Sequence, residues 1–149
     1  MNANEPFKIK GHINLKLYDK NMKLKSEVDK DNVVVTVGKN FLATWLAAAT
    51  QSTEFMNYVQ LGTGTTAAAA GDTDLETPLS PRVAGTLSSS TNVWTNQATF
   101  APGVATGAIT ESGLFSALTS GTMFARQTFP VQNKLAGDTI VFTWNVTLS

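Results

Sequence analysis

The feature that most restricts the fold of this chain is the regular return of strand-length runs through its second half. Val93–Phe100, Ala108–Phe115, Met123–Phe129 and Thr139–Leu148 are separated by turn residues at intervals of about ten residues. In the last run Ile140, Phe142, Trp144, Val146 and Leu148 share one parity while Val141, Thr143, Asn145 and Thr147 share the other. Successive side chains of a strand point to opposite faces, so this run lines a core on one side. Phe55–Leu61 and Arg82–Ser88 read as further strands, with the Ser88-Ser89-Ser90-Thr91 tract as a hairpin tip. The pattern predicts a mainly β fold, an antiparallel β-sandwich of jelly-roll type.

Upstream, Phe7, Ile9, Ile13, Leu15 and Leu17 alternate with Lys8, Lys10, His12, Asn14 and Lys16, and Asp19-Lys20-Asn21 supplies a turn. Residues 7–28 therefore read as a β-hairpin. After the β-branched run Val33–Val37 the period changes: Phe41, Leu42, Trp45, Leu46 and Ala49 form one apolar helical stripe. Packing against the sheet is its expected use, and binding a partner is the alternative. The expected organisation is an N-terminal hairpin arm over 1–30 and a sandwich domain over 31–149, with one helix near 38–50. The four alanines Ala67–Ala70 lie in a loop too short for an isolated helix.

Composition narrows the function. A chain of 149 residues, 42% apolar and 15% charged, suits one domain, and the absence of cysteine excludes disulfides, thiolate nucleophiles and cysteine zinc sites. Zero formal net charge removes the footprint of a nucleic-acid binder. Eight lysines nevertheless precede residue 40, interleaved with Glu5, Asp19, Glu27, Asp29 and Asp31. They read as the solvent face of the hairpin or as a lysine-lined patch facing an acidic partner or nucleic acid. No apolar run is long enough to span a membrane, and Met1–Pro6 lacks a secretory start, so the expectation is a chain made and kept in the cytosol.

Catalytic constellations are missing. Gly62-Thr63-Gly64 lacks the remainder of a phosphate-binding loop and reads as a strand-ending turn. Asp72, Asp74 and Glu76 alternate as oxygen ligands for a hard cation could, without the spacing of an EF-hand. His12, the sole histidine, has no catalytic company and reads as a surface residue. Glu111 and Arg126 each interrupt an apolar strand, and if those strands pair the two form a partly buried ion pair. Trp45 and Trp144 fall on apolar stripes and are expected in the core, whereas Trp94, beside the polar tip, is a candidate exposed aromatic for a glycan. No catalytic residue, cofactor or metal is expected.

In order, Val59-Gln60-Leu61-Gly62-Thr63-Gly64, Asp72-Thr73-Asp74-Leu75, Arg82, Ile109–Phe115, Gly121–Arg126 and Phe142-Thr143-Trp144 resemble a group of small bacteriophage virion proteins and the attachment domains of some tail fibres. The resemblance spans about residues 30–148. It implies a non-enzymatic docking sandwich, assembled in the host bacterial cytoplasm and located on the virion. Because no fibre shaft follows Ser149, a capsid decoration (cement) protein is the first expectation and a tail, neck or baseplate adaptor the second. A carbohydrate-binding module is a third.

The expected partners are the major capsid protein or other virion proteins, and further copies of the chain as a homotrimer, with no nucleic acid and no membrane. The N-terminal hairpin is the expected contact, with Phe7, Ile9, Leu15 and Leu17 burying against a partner or the sandwich and Lys8 and Lys10 at the rim.

Overall fold

A computed structural model describes residues 6–50 and 55–149; Glu5 and most of the segment read for a secretory start lie outside the described residues. In chain order the elements are β1 (Ile9–Tyr18), β2 (Leu24–Val34), α1 (Thr36–Ala47), β3 (Tyr58–Gly62), β4 (Val83–Ala84), β5 (Thr86–Ser90), β6 (Val93–Phe100), β7 (Gly107–Phe115), β8 (Met123–Lys134) and β9 (Thr139–Leu148). The mainly β, antiparallel class expected from the alternation is what the structure has. The arrangement is one nine-stranded sheet, ordered β4-β3-β7-β8-β2-β1-β9-β6-β5 and nearly closed into a barrel, where two separate packed sheets were expected.

Two corners allow that curvature. Strand β2 pairs with β1 from Leu24 to Asn32 and then with β8 through Val33 and Val34. At the opposite corner the outermost strands β4 and β5 are consecutive in the chain, separated by Gly85 alone. A Cβ on Gly85 would lie 1.7 Å from Asn96 Oδ1, so only glycine lets the chain cross there from one end of the sheet to the other.

The hairpin expected as an arm is instead interior to the sheet. Strand β1 is paired along its length with β2 on one side and with β9 on the other, from Ile9 opposite Leu148 to Tyr18 opposite Thr139. Ile13, Leu15 and Leu17 are buried and join Phe100, Ile140, Phe142 and Trp144 in the main core. Alternation shows which face of a strand is apolar, but it does not show that a second neighbour arrives from the far end of the chain.

Helix α1 begins two residues earlier and ends three earlier than the expected 38–50 span. Its one buried residue is Gly38, where a Cβ would stand 2.5 Å from the Phe124 backbone. The first turn therefore lies directly on β8, while Phe41, Leu42 and Trp45 are half-buried and Leu46 is 66% exposed. No helix among the described residues is long and apolar enough to cross a membrane.

Candidate functional site

The residues singled out for chemistry converge beneath the segment that links β3 to β4. In β7 a bulge at Thr110 resets the alternation, and from Glu111 to Phe115 every residue is buried. One side of this stretch faces the main core. The other is roofed by the linking segment, where Leu75, Phe115 and Met123 form a second small apolar cluster with Val35.

Glu111 lies at the centre of that roofed side with 0% exposure. Its Oε1 accepts from the backbone N–H of Gly64 at 3.0 Å and of Thr77 at 2.8 Å, while Oε2 accepts from the N–H of Glu76 at 3.1 Å and from Arg126 Nε at 3.0 Å. Arg126, itself 2% exposed, donates Nη1 to Asp72 at 2.8 Å and Nη2 to the Thr66 carbonyl at 3.0 Å. The expected ion pair is thus present, at 2.9 Å, but it is diagonal: Glu111 sits opposite Thr128, and Arg126 sits opposite Gly113. Flanking acids and the Glu111 carboxylate hold the Arg126 guanidinium charged against the burial that opposes it.

The Gly62-Thr63-Gly64 turn now has a physical use. A Cβ on Gly62 or Gly64 would come within 2.5 or 2.6 Å of Glu111 Oε1. The two glycines leave the space that the carboxylate fills, so this loop cradles an anion belonging to its own chain. Asp72 and Glu76, read as possible cation ligands, are engaged inward: Asp72 with Arg126 and the Ala69 N–H, Glu76 with Thr66. Asp74 accepts from the N–H of Leu75. Arg82 closes the end of the same segment, donating to Gln60, Ala117 and Ser120 with its guanidinium 3.6 Å from the Phe115 ring centre. No cluster of three acidic or histidine groups able to hold a metal is found among the described residues.

The expected partner residues of the N-terminal strand separate. Phe7 is 70% exposed, and Lys8 and Lys10 are exposed beside it, so these three offer surface. Ile9 is half-buried, and Leu15 and Leu17 face the barrel interior, where the sheet itself excludes a partner. His12 does not sit among lysines alone: Nδ1 is 2.8 Å from Asp31 and Nε2 contacts Asp29. These contacts raise its pKa, the Asp31 hydrogen bond most of all.

Trp94 is half-buried, not free on the hairpin tip, and its ring meets Phe124 edge-on at 6.5 Å. It forms one wall of an apolar hollow of about 430 Å³ between α1 and the barrel end, with Phe41, Leu42, Trp45, Leu87 and Leu148 among the other walls. Trp45 thus lines this hollow, whereas Trp144 is fully buried. Sequence reasoning missed the hollow. The available signal was the helical stripe Phe41, Leu42 and Trp45, for which binding a partner is the alternative to packing on the sheet. Comparison with known proteins finds no matching family model, no matching curated protein and no matching solved structure.

Proposed function

We propose that this chain is a non-enzymatic bacteriophage virion protein that docks on the capsid as a decoration, or cement, protein and acts there as an oligomer, a homotrimer in the first instance. The observation that supports this reading is the convergence of nearly all the motifs carrying the resemblance, from Val59–Gly64 and Asp72–Leu75 through Arg82 to Ile109–Phe115 and Arg126, on one buried clasp. These residues spend their charges and donors on each other. Their arrangement fixes a long surface segment to a rigid sheet, which suits a particle component that has no covalent staples. The docking sandwich of the resemblance fits the nearly closed sheet if its corners at β2 and Gly85 are taken as the joints between two faces.

Phe7, Lys8 and Lys10 form the proposed contact with the major capsid protein, an apolar anchor with a basic rim. Purified chain mixed with particles lacking it, followed by cryo-electron microscopy, tests the proposal. Density at repeated capsomer positions, weakened by Phe7→Ser with Lys8→Glu, is the expected result. Density confined to the neck or tail would give the adaptor reading, and failure to bind any particle surface would refute both.

A further inference from the structure

Helix α1 presents an unusual outer side. Its exposed residues are Thr36, Lys39, Asn40, Ala43, Thr44, Leu46 and Ala47, so Lys39 carries its only charge. A helix facing water normally sets polar and charged residues opposite its apolar stripe. Here Ala43, Leu46 and Ala47 are exposed among the polar Thr36, Asn40 and Thr44, and the stripe itself, Phe41, Leu42 and Trp45, is only half covered by the barrel. Beside it lies the hollow of about 430 Å³ walled by Leu42, Trp45, Trp94 and Phe124.

The chemistry of this hollow selects its guest. Sites for small molecules combine apolar walls with a few placed polar groups that fix orientation. These walls are almost wholly apolar, so nothing in them orients a ligand by hydrogen bonding. They suit an apolar side chain whose position is set by the protein carrying it, as in the anchor pockets of protein interfaces. A candidate guest is carried by the same helix: Leu46, 66% exposed, follows Trp45 and lies one helical turn from Leu42, two residues that wall the hollow.

We infer that the hollow receives Leu46 from a second copy of this chain, with the α1 helices of the two copies packed side by side. Knob and socket lie on one patch, which is the condition for a self-complementary contact: across a two-fold axis each Leu46 enters the other copy's hollow. Self-contact brings identical charges together, and this patch carries only Lys39 at its margin. Ala43, Thr44 and Ala47 let the helices approach closely, because interaxial distance follows side-chain size. The inference rests on the self-association in the proposed function, with a two-fold pair through α1 in place of the homotrimer, and not on the location on the particle.

Sedimentation of the full chain across concentrations from roughly 1 to 100 µM, a range matching micromolar affinity, tests it. The wild type should associate, Leu46→Glu should weaken association by about 100-fold, and Leu135→Glu, at an exposed position outside this patch, should leave it intact. Leu46 and Leu135 are both surface residues, and thermal melts of the variants confirm folding. Steady monomer in the wild type, or association indifferent to Leu46→Glu, would overturn the inference. So would a wild-type monomer that binds the uncharged fluorophore N-phenyl-1-naphthylamine one to one in a manner lost in Leu42→Lys. Association through Leu46 in a chain that never binds particles would support this interface and refute the virion reading separately.

Discussion

Replacing Glu111 by alanine removes one carboxylate and leaves four partners without their acceptor: the backbone N–H groups of Gly64, Glu76 and Thr77 and the Arg126 side chain. Losing one member of a buried, hydrogen-bonded ion pair typically costs about 3–5 kcal/mol, because the other charge stays behind in a poorly solvated site. Each buried donor left unsatisfied adds about 1–3 kcal/mol where water cannot enter. Two effects reduce the sum. Arg126 keeps Asp72 at 2.8 Å, and the Gly64–Thr77 segment can lift and admit water. The expected loss is therefore about 3–5 kcal/mol, or about 10 °C in melting temperature for a domain of this size. Urea unfolding measures the loss, and hydrogen exchange at Gly64 and Thr77 shows whether the segment has been released. Gly64→Ala should mimic the effect, since its Cβ would stand 2.6 Å from the carboxylate oxygen. The two changes together should fall well short of additive, because they break the same contact. A loss below about 1 kcal/mol with unchanged protection at both amides would refute the clasp as the anchor of this segment.

Two further outcomes follow from single residues. Gly38→Ala sets two effects against each other: alanine favours a helix interior by about 1 kcal/mol, but its Cβ would meet the Phe124 backbone at 2.5 Å. A backbone wall cannot rotate aside, so calorimetry should show a net loss of about 1–3 kcal/mol, and a stabilised variant would show that α1 is not seated on β8. His12 has a raised pKa through Asp31 and Asp29, so the folded state binds its proton more tightly than the unfolded chain. The stabilisation is complete below the unfolded pKa near 6.5 and disappears as pH rises through the raised folded value. The difference in stability between wild type and His12→Ala should consequently be larger at about pH 5.5 than at about pH 8. As the sole histidine, its ring signals are directly assignable by NMR, and a midpoint at or below the ordinary value would contradict the pairing.

The strands were legible where one face is buried and the other is wet. Strand β9 shows this most clearly, since Ile140, Phe142, Trp144 and Val146 are all buried as their parity requires. Legibility fails where a third layer intervenes. Strand β7 reads as a plain strand, yet the roof over Glu111, Gly113 and Phe115 buries its outward side as well. The N-terminal alternation located Ile13, Leu15 and Leu17 on an apolar face, but it could not show that β9 would pair beside them. The helical stripe identified Phe41, Leu42 and Trp45, but not how little of the helix the barrel covers.

The candidate site was legible as residues and not as an assembly, for a reason that is itself informative. Glycines around an anion and alternating acids are signals for external ligands when read singly. Here the anion is Glu111 and the cation is Arg126, so each motif is answered by another part of the same chain. Internal satisfaction leaves partner contact to other surfaces, and the α1 patch and the Phe7–Lys10 strand end are two that expose large apolar side chains, Leu46 and Phe7. Both belong to the end of the barrel where β1 begins and β9 finishes, since Ile9 pairs with Leu148 and Leu148 helps to wall the hollow. Self-association through α1 and docking through Phe7 therefore make neighbouring demands on one end of the molecule. Leu46→Glu should leave particle contacts made by a single chain in place while removing the avidity that an oligomer adds through simultaneous engagement.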